Sequence, residues 1–205
     1  MDTSIEEMNF LCQILEKQYL PGFETFSTLG TTQVKKVKES LFKKGFLNEN
    51  YTLTDKGIRY LKELDLYVNA DEYLKFGDKA IFAKYQRDEY VLVIRIDKSY
   101  RIELVHKDEI KSIILSKFNN WNDITKTAHQ QVRLETNKFI SFIENNSDLK
   151  AIFLLKTNTL TKRNTDLVLY IYDGYLNCFN VDSKKLDMYC KDEVPQAIDT
   201  IISVS

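Results

Sequence analysis

Cys12, Cys178, Cys190, His106 and His129 are the side chains of this 205-residue chain with the greatest intrinsic reactivity. A thiolate beside an imidazole can attack a carbonyl carbon. Clustered cysteine and histidine can hold zinc. The three cysteines are odd in number and show no CxxC spacing, and no local sequence activates a thiol. They read as reduced core thiols of a cytosolic protein, with a Cys–His pair left open in principle. His106 closes an alternating stretch and reads as strand-end packing. The acidic pair Asp108–Glu109 precedes an apolar helical pattern, and capping accounts for it. GxxxxGK[ST], GxGxxG and HExxH are absent from the sequence. The expectation is a binding protein: no enzyme, no metal, no cofactor.

Two other groups could make contacts with a partner. Lys35, Lys36, Lys38, Lys43 and Lys44 cluster on one stretch, as a solvated face or as phosphate contacts. Trp121, the only tryptophan, lies in "FNNWND" among polar residues. A lone tryptophan there is either a packing anchor or an interface hot spot, and Phe142 poses the same choice. The net charge is −1, which lacks the basic excess of a dedicated nucleic-acid binder. The start, MDTSIEEMNF, lacks an apolar signal region, and no apolar run is long enough for a membrane span. A cytoplasmic location with no membrane insertion is expected.

The elements that position these residues can be read from periodicity. Residues 4–17 predict a helix with a Ser4–Glu7 capping box and a stripe of Ile5, Met8, Leu11, Cys12 and Leu15. "YLPGFETF" breaks it. A second helix starts near Thr31, buries Val34, Val37 and Leu41, and ends before Gly45, a left-handed cap. Phe46, Leu47, Tyr51 and Leu53 form a short extended pair. Thr54 caps a third helix with Ile58, Leu61 and Leu64 inward. From residue 79 the period becomes strand-like. "KAIFAKY" and "EYVLVIRI" flank a turn, and "YRIELVH" places Ile102 and Leu104 on one face. A helix follows at 108–117, and another at 130–145 carries Phe139, Ile140, Phe142 and Ile143. Strands return in "LKAIFLLK", "DLVLYIY", "YLNCFN" and "KLDMYC", with a hairpin turn at Asp173–Gly174. A last helix, 192–203, buries Val194, Ala197, Ile198, Ile201 and Ile202, with Pro195 in its first turn.

Residues 101–114, "RIELVHKDEIKSII", align with 185–198, "KLDMYCKDEVPQAI". Lys107, Asp108 and Glu109 match Lys191, Asp192 and Glu193, and apolar positions match around them. Each stretch reads as a β-meander running into a helix capped by Asp108 or Asp192. The fold class expected is α+β: a quasi-twofold protein with two meander-plus-helix repeats after a winged-helix-like N-terminal unit. The halves are 1–118 and 119–205.

"LFKKGFLNENYTLTDKG" has the helix, turn, strand and helix order of winged-helix DNA readers. Such readers need a support helix before the recognition helix. "QYLPGFETFSTLG" shows no helical period, and residues 1–66 carry nine basic and ten acidic side chains. A winged-helix transcription regulator is therefore the alternative reading, and no nucleic-acid partner is expected.

The chain resembles the cytosolic substrate chaperones of type VII (ESX) secretion systems, in particular the branch of low-GC bacteria. The resemblance rests on Glu7, Leu11, Leu15, Leu20 and Pro21, then on Leu41, Gly45, Leu47, Leu53, Thr54 and Gly57, and on the element order. It implies a quasi-twofold fold and a protein that binds a helical-hairpin secreted substrate. It implies that the chaperone keeps an apolar tip from self-association and helps deliver the substrate to the membrane secretion ATPase, a further partner. It points to the turn Asp97, Lys98, Ser99 and Tyr100, and to Trp121, Phe139 and Phe142 as the partner-binding residues. The chain has no WxG helix-turn-helix of a secreted substrate. Its "YVNAD" at 67–71 precedes a strand region and is discounted as an export signal.

Overall fold

The computed structural model describes residues 2–17, 20–23, 29–118 and 120–203. Strand β1 (Asp2–Thr3) leads into helices α1 (Ile5–Ile14), α2 (Thr31–Lys43) and α3 (Asp55–Val68). Strands β2 (Glu72–Phe76), β3 (Ala80–Lys84), β4 (Glu89–Ile96) and β5 (Ser99–His106) follow, then helix α4 (Lys107–Ser116). A 3-10 turn at Trp121–Asp123 precedes strand β6 (Gln130–Arg133) and helix α5 (Thr136–Asn145). Strands β7 (Ala151–Asn158), β8 (Arg163–Tyr172), β9 (Tyr175–Asn180) and β10 (Lys185–Tyr189) come next. A second 3-10 turn, Lys191–Glu193, runs into helix α6 (Val194–Ile202). The fold is α+β, as the mixture of helical and strand periods predicts. By contacts the chain divides into a first unit, 1–71 with 78–105, and a second unit, 72–77 with 106–205.

In the first unit the strand order is β1-β5-β4-β3. The Ser4–Glu7 capping box forms: the Glu7 amide donates to Ser4 Oγ at 3.2 Å and the Ser4 amide to Glu7 Oε2 at 2.6 Å. Glu7 is buried, and its carboxylate also accepts from Lys44 Nζ at 2.6 Å. That pairing offsets the cost of removing the charge from water. Gly45 ends α2 with φ +74°, the left-handed cap expected of it. A bridge between Leu47 and Leu53 closes the short extended pair, and Thr54 Oγ1 caps α3 by accepting from the Gly57 amide at 3.1 Å. The support-helix question falls mainly on Gln18, Tyr19 and residues 24–28, outside the described residues.

Two buried faces differ from the pattern expected from the sequence. Leu64 is buried as expected, but Ile58 is 42% exposed and Leu61 only half-buried, and α3 turns Gly57, Tyr60 and Tyr67 inward in their place. The cause is a close approach: a Cβ on Gly57 would stand 2.2 Å from the Phe46 carbonyl oxygen, so the contact line runs through the glycine. In β5, Ile102 is buried but Leu104 is exposed, and Val105 takes the inward position. Strict alternation slips there, where the chain leaves the strand for α4.

In the second unit the strand order is β2-β7-β8-β9-β10-β6. Phe139 of α5 packs on one sheet face with Val168, Tyr170, Phe179 and Leu186. Lys156, pointing to the other face, donates to the carbonyls of Thr200 and Ser203 at the end of α6. Lys107 and Lys111 of α4 reach Asp199 of α6 at 3.5 and 2.7 Å. All five apolar residues expected inward on α6 are buried, and Pro195 lies in its first turn. Asp173 and Gly174 take φ +49° and +76°, the mirror-image turn that suits the right-handed twist of a hairpin.

Three boundaries differ from expectation. β2 was not expected, because strands were placed from residue 79 onward. It pairs with β7 from Glu72↔Asn158 to Phe76↔Leu154, a partner far along the chain. Residues 130–133 are not the start of a helix but a strand on β10, with Val132 opposite Leu186. One apolar residue in four gives that stretch no helical stripe. Asp108 and Asp192 are not N-caps. His106 caps α4 and Cys190 caps the Lys191–Glu193 turn. The His106 amide donates to Glu109 Oε1 at 3.0 Å, and the Cys190 amide donates to Glu193 Oε2 at 3.1 Å. The shared Lys-Asp-Glu is thus the first turn of two capping boxes, with glutamate as the working residue.

Candidate protein-binding site

In the first unit, Asp97 and Lys98 form the tip between β4 and β5, and both are exposed. Asp97 adopts φ +54°, a left-handed conformation that aspartate tolerates better than most residues. Arg95 Nε donates to the Asp97 carbonyl at 3.2 Å, and Ser99 Oγ donates to the Ile96 carbonyl at 2.9 Å. These bonds fix the tip on its strands. Tyr100 is half-buried. Its backbone lies opposite Thr3 of β1, and its ring meets Phe23 edge-on at 5.0 Å. The turn therefore offers a polar tip with one anchored aromatic beside it.

In the second unit, Trp121 donates from Nε1 to the Leu115 carbonyl at 2.7 Å and meets Phe118 edge-on at 5.3 Å. Its indole thus adds a cap at the C-terminal end of α4, on a Leu115 carbonyl that also accepts from the Phe118 amide at 3.3 Å. Phe139 is 4% exposed and stacks on Phe179 at 4.1 Å, so it holds α5 down from beneath. Phe142 is half-buried, 4.9 Å from Tyr172 and 5.7 Å from Tyr170.

Tyr172, in ring contact with Phe142, and two further apolar side chains of the second unit, Phe153 and Ile140, are exposed. Ile140 on α5 is 49% exposed, Tyr172 45% and Phe153 58%. Phe153 lies directly across from Val168 and so shares the face that α5 covers, since opposite residues of paired strands point the same way. The helix shields Val168 and leaves Phe153 open. "AIFLLK" is apolar on both faces, so alternation could not separate Phe153 from its buried neighbours Ile152 and Leu154.

The Cys–His possibility can now be placed. His129 Nδ1 and Cys190 Sγ both lie 3.2 Å from Glu193 Oε2. The carboxylate stands between them and accepts a hydrogen bond from the Cys190 thiol. That hydrogen bond raises the Cys190 pKa. Burial pushes the Cys12 and Cys178 thiols up to about 12. All three therefore stay protonated near neutrality, the form that is not nucleophilic. Among the described residues no group of three His, Cys, Asp or Glu side chains is placed to hold a metal. No helix of the described residues is long and apolar enough to cross a membrane.

What this geometry offers is apolar area held on rigid strands and a helix, the chemistry of a protein-binding surface. The fold is similar to that in the structure of the Mycobacterium tuberculosis type VII secretion system chaperone EspG5 in complex with the PE25–PPE41 dimer. The TM-score is 0.61 over 98% of this chain and 95% of that one, at 7% sequence identity. The likeness establishes the fold. Residues 2–169 match the family model described as a domain of unknown function, DUF5081, and the chain belongs to that family. No curated protein matches it in sequence.

Proposed function

We propose that this protein is a cytosolic chaperone for a helical substrate of a type VII secretion system and delivers it toward the secretion ATPase. The observation that carries the reading is the fold shared with EspG5, whose structure holds it with a PE25–PPE41 dimer. The exposed aromatic surface on a rigid frame agrees with it. The substrate would offer an apolar helical tip. Phe142, Tyr172, Ile140 and Phe153 suit such a tip, since each adds apolar area with few rotatable bonds. The turn Asp97–Tyr100 is the second contact proposed, with Tyr100 as its anchor. Trp121 and Phe139 contribute by fixing the elements that carry the surface. The balanced charge of residues 1–66 favours this reading over a DNA-binding regulator.

The test is co-expression with a helical-hairpin secretion substrate of the same genome, followed by pull-down. The wild-type chain should retain the substrate. Phe142→Ala should weaken binding by roughly 1–2 kcal/mol, or about 5–30-fold, with a small loss of melting temperature. Retention unchanged in Phe142→Ala, Tyr172→Ala and Tyr100→Ala alike would refute this surface.

A further inference from the structure

The face of the second unit opposite α5 holds a cavity of about 620 Å³ beside α6. That volume lies within the roughly 300–1,000 Å³ of small-ligand pockets. Leu167, Cys178 and Ile201 give its mostly polar lining an apolar patch, while Lys156, Arg163 and Lys185 bring three cations to its walls. We propose that this cavity binds a carboxylate joined to an apolar body, with the carboxylate on Lys156 and the body against Leu167, Cys178 and Ile201.

The lysine is the central observation. Its ammonium has three donors. Two go to the carbonyls of Thr200 at 3.3 Å and Ser203 at 3.0 Å, the end of α6. Neither acceptor carries a full charge. Among the described residues no carboxylate lies within 4.0 Å of Lys156, Arg163 or Lys185. Burial of Lys156 lowers its pKa to about 8, with Cys178 and Glu72 acting weakly the other way. The group is still mainly charged at neutral pH, and among the described residues its hydrogen-bond partners are neutral carbonyls.

Two acids also line the cavity, and both are engaged. Asp182 Oδ2 accepts from the Asp166 amide at 3.2 Å. Asp187 Oδ1 accepts from Gln131 Nε2 and faces His129 Nε2 at 3.8 Å. An incoming carboxylate would give Lys156 a charge-assisted hydrogen bond that the fold does not supply. Arg163 and Lys185, both exposed, would attract it to the mouth.

Calorimetric titration of the full chain at pH 7 with octanoate, octanamide and octylammonium tests this, because the three share one apolar body. Octanoate should bind at least tenfold tighter than octanamide, and octylammonium weakest. Lys156→Met should abolish the preference for octanoate, and Arg163→Gln should reduce it severalfold if the first variant fails to fold. Equal binding of octanoate and octanamide overturns the proposal, as does tightest binding of octylammonium. Wild-type selectivity in both variants also overturns it. A leucine-terminated peptide, free acid against amide, then distinguishes the source. A free-acid peptide tighter than octanoate marks a protein C-terminus, and the reverse order marks a small free acid; either upholds the site. Failure here leaves the chaperone reading untouched, since α5 and the Asp97–Tyr100 turn take no part.

Discussion

Replacing Gly57 by alanine separates two opposed effects on one residue. Gly57 lies inside α3, where helix propensity alone favours alanine by about 0.8–1.0 kcal/mol. The added Cβ would stand 2.2 Å from the Phe46 carbonyl oxygen and 3.0 Å from Leu53 Cδ2. The oxygen cannot easily retreat. It accepts from the Thr54 amide at 3.0 Å and from Thr54 Oγ1 at 3.2 Å, the bonds that start α3. Overpacking costs typically about 1–3 kcal/mol, and a backbone contact this short belongs at the upper end. The net expectation is a loss of about 2 kcal/mol. For a chain of this size that lowers Tm by roughly 4–8 °C. Thermal unfolding followed by circular dichroism measures it directly. Hydrogen exchange at the Thr54 and Gly57 amides should quicken as well. A Tm rise of a few degrees would mean that propensity outweighs contact, and that the Gly57–Phe46 approach does not set the position of α3.

Tyr100→Ala removes the edge contact with Phe23 but leaves the backbone opposite Thr3. Melting should show a loss near 1 kcal/mol, while substrate titration shows about 1–2 kcal/mol. Gly174→Ala meets a positive φ of 76° and places its Cβ 2.7 Å from Thr125 Oγ1. It should cost at least about 1–2 kcal/mol and speed hydrogen exchange of Thr125 and Lys126, whose amides both bond the Gly174 carbonyl. Lys156 has a folded pKa of about 8, below its unfolded value, so between the two the unfolded chain binds more protons. The Lys156 contribution to stability should therefore rise from pH 8 to pH 9, by at most about 1.4 kcal/mol, and Lys156→Met should remove that contribution in denaturant titrations. From about pH 8 upward the raised thiols of Cys12 and Cys178 act in the opposite direction, since their unfolded forms lose protons first, so the Lys156 contribution is read as the difference between wild type and Lys156→Met.

Features fixed by neighbours in sequence were legible before the fold was known. The Ser4–Glu7 box, the Gly45 cap, the Asp173–Gly174 turn and the buried stripe of α6 each depend on a few adjacent residues. Features fixed by distant partners were not. β2 is held by β7, and β6 by β10, so neither stretch needs a strong pattern of its own. His106 and Cys190 align with each other in the repeat and both cap, while Asp108 and Asp192, two residues later, are the residue type expected of a cap. Neither histidine nor cysteine is a usual N-cap, which hid a box whose glutamates were in plain sight. At the candidate surface, the anchors Trp121, Phe139 and Phe142 stand out as aromatics. Phe153 and Tyr172 do not, because their exposure depends on where α5 ends its cover.

The role proposed for this chain is to hold a helical secretion substrate and prevent its self-association. Size-exclusion chromatography with light scattering, run on a purified helical-hairpin substrate with and without the protein, tests it most directly. The substrate alone should form larger species and the mixture a single discrete complex, with Phe142→Ala restoring the larger species. Unchanged self-association of the substrate in the presence of the wild-type chain, with no complex formed, would contradict it.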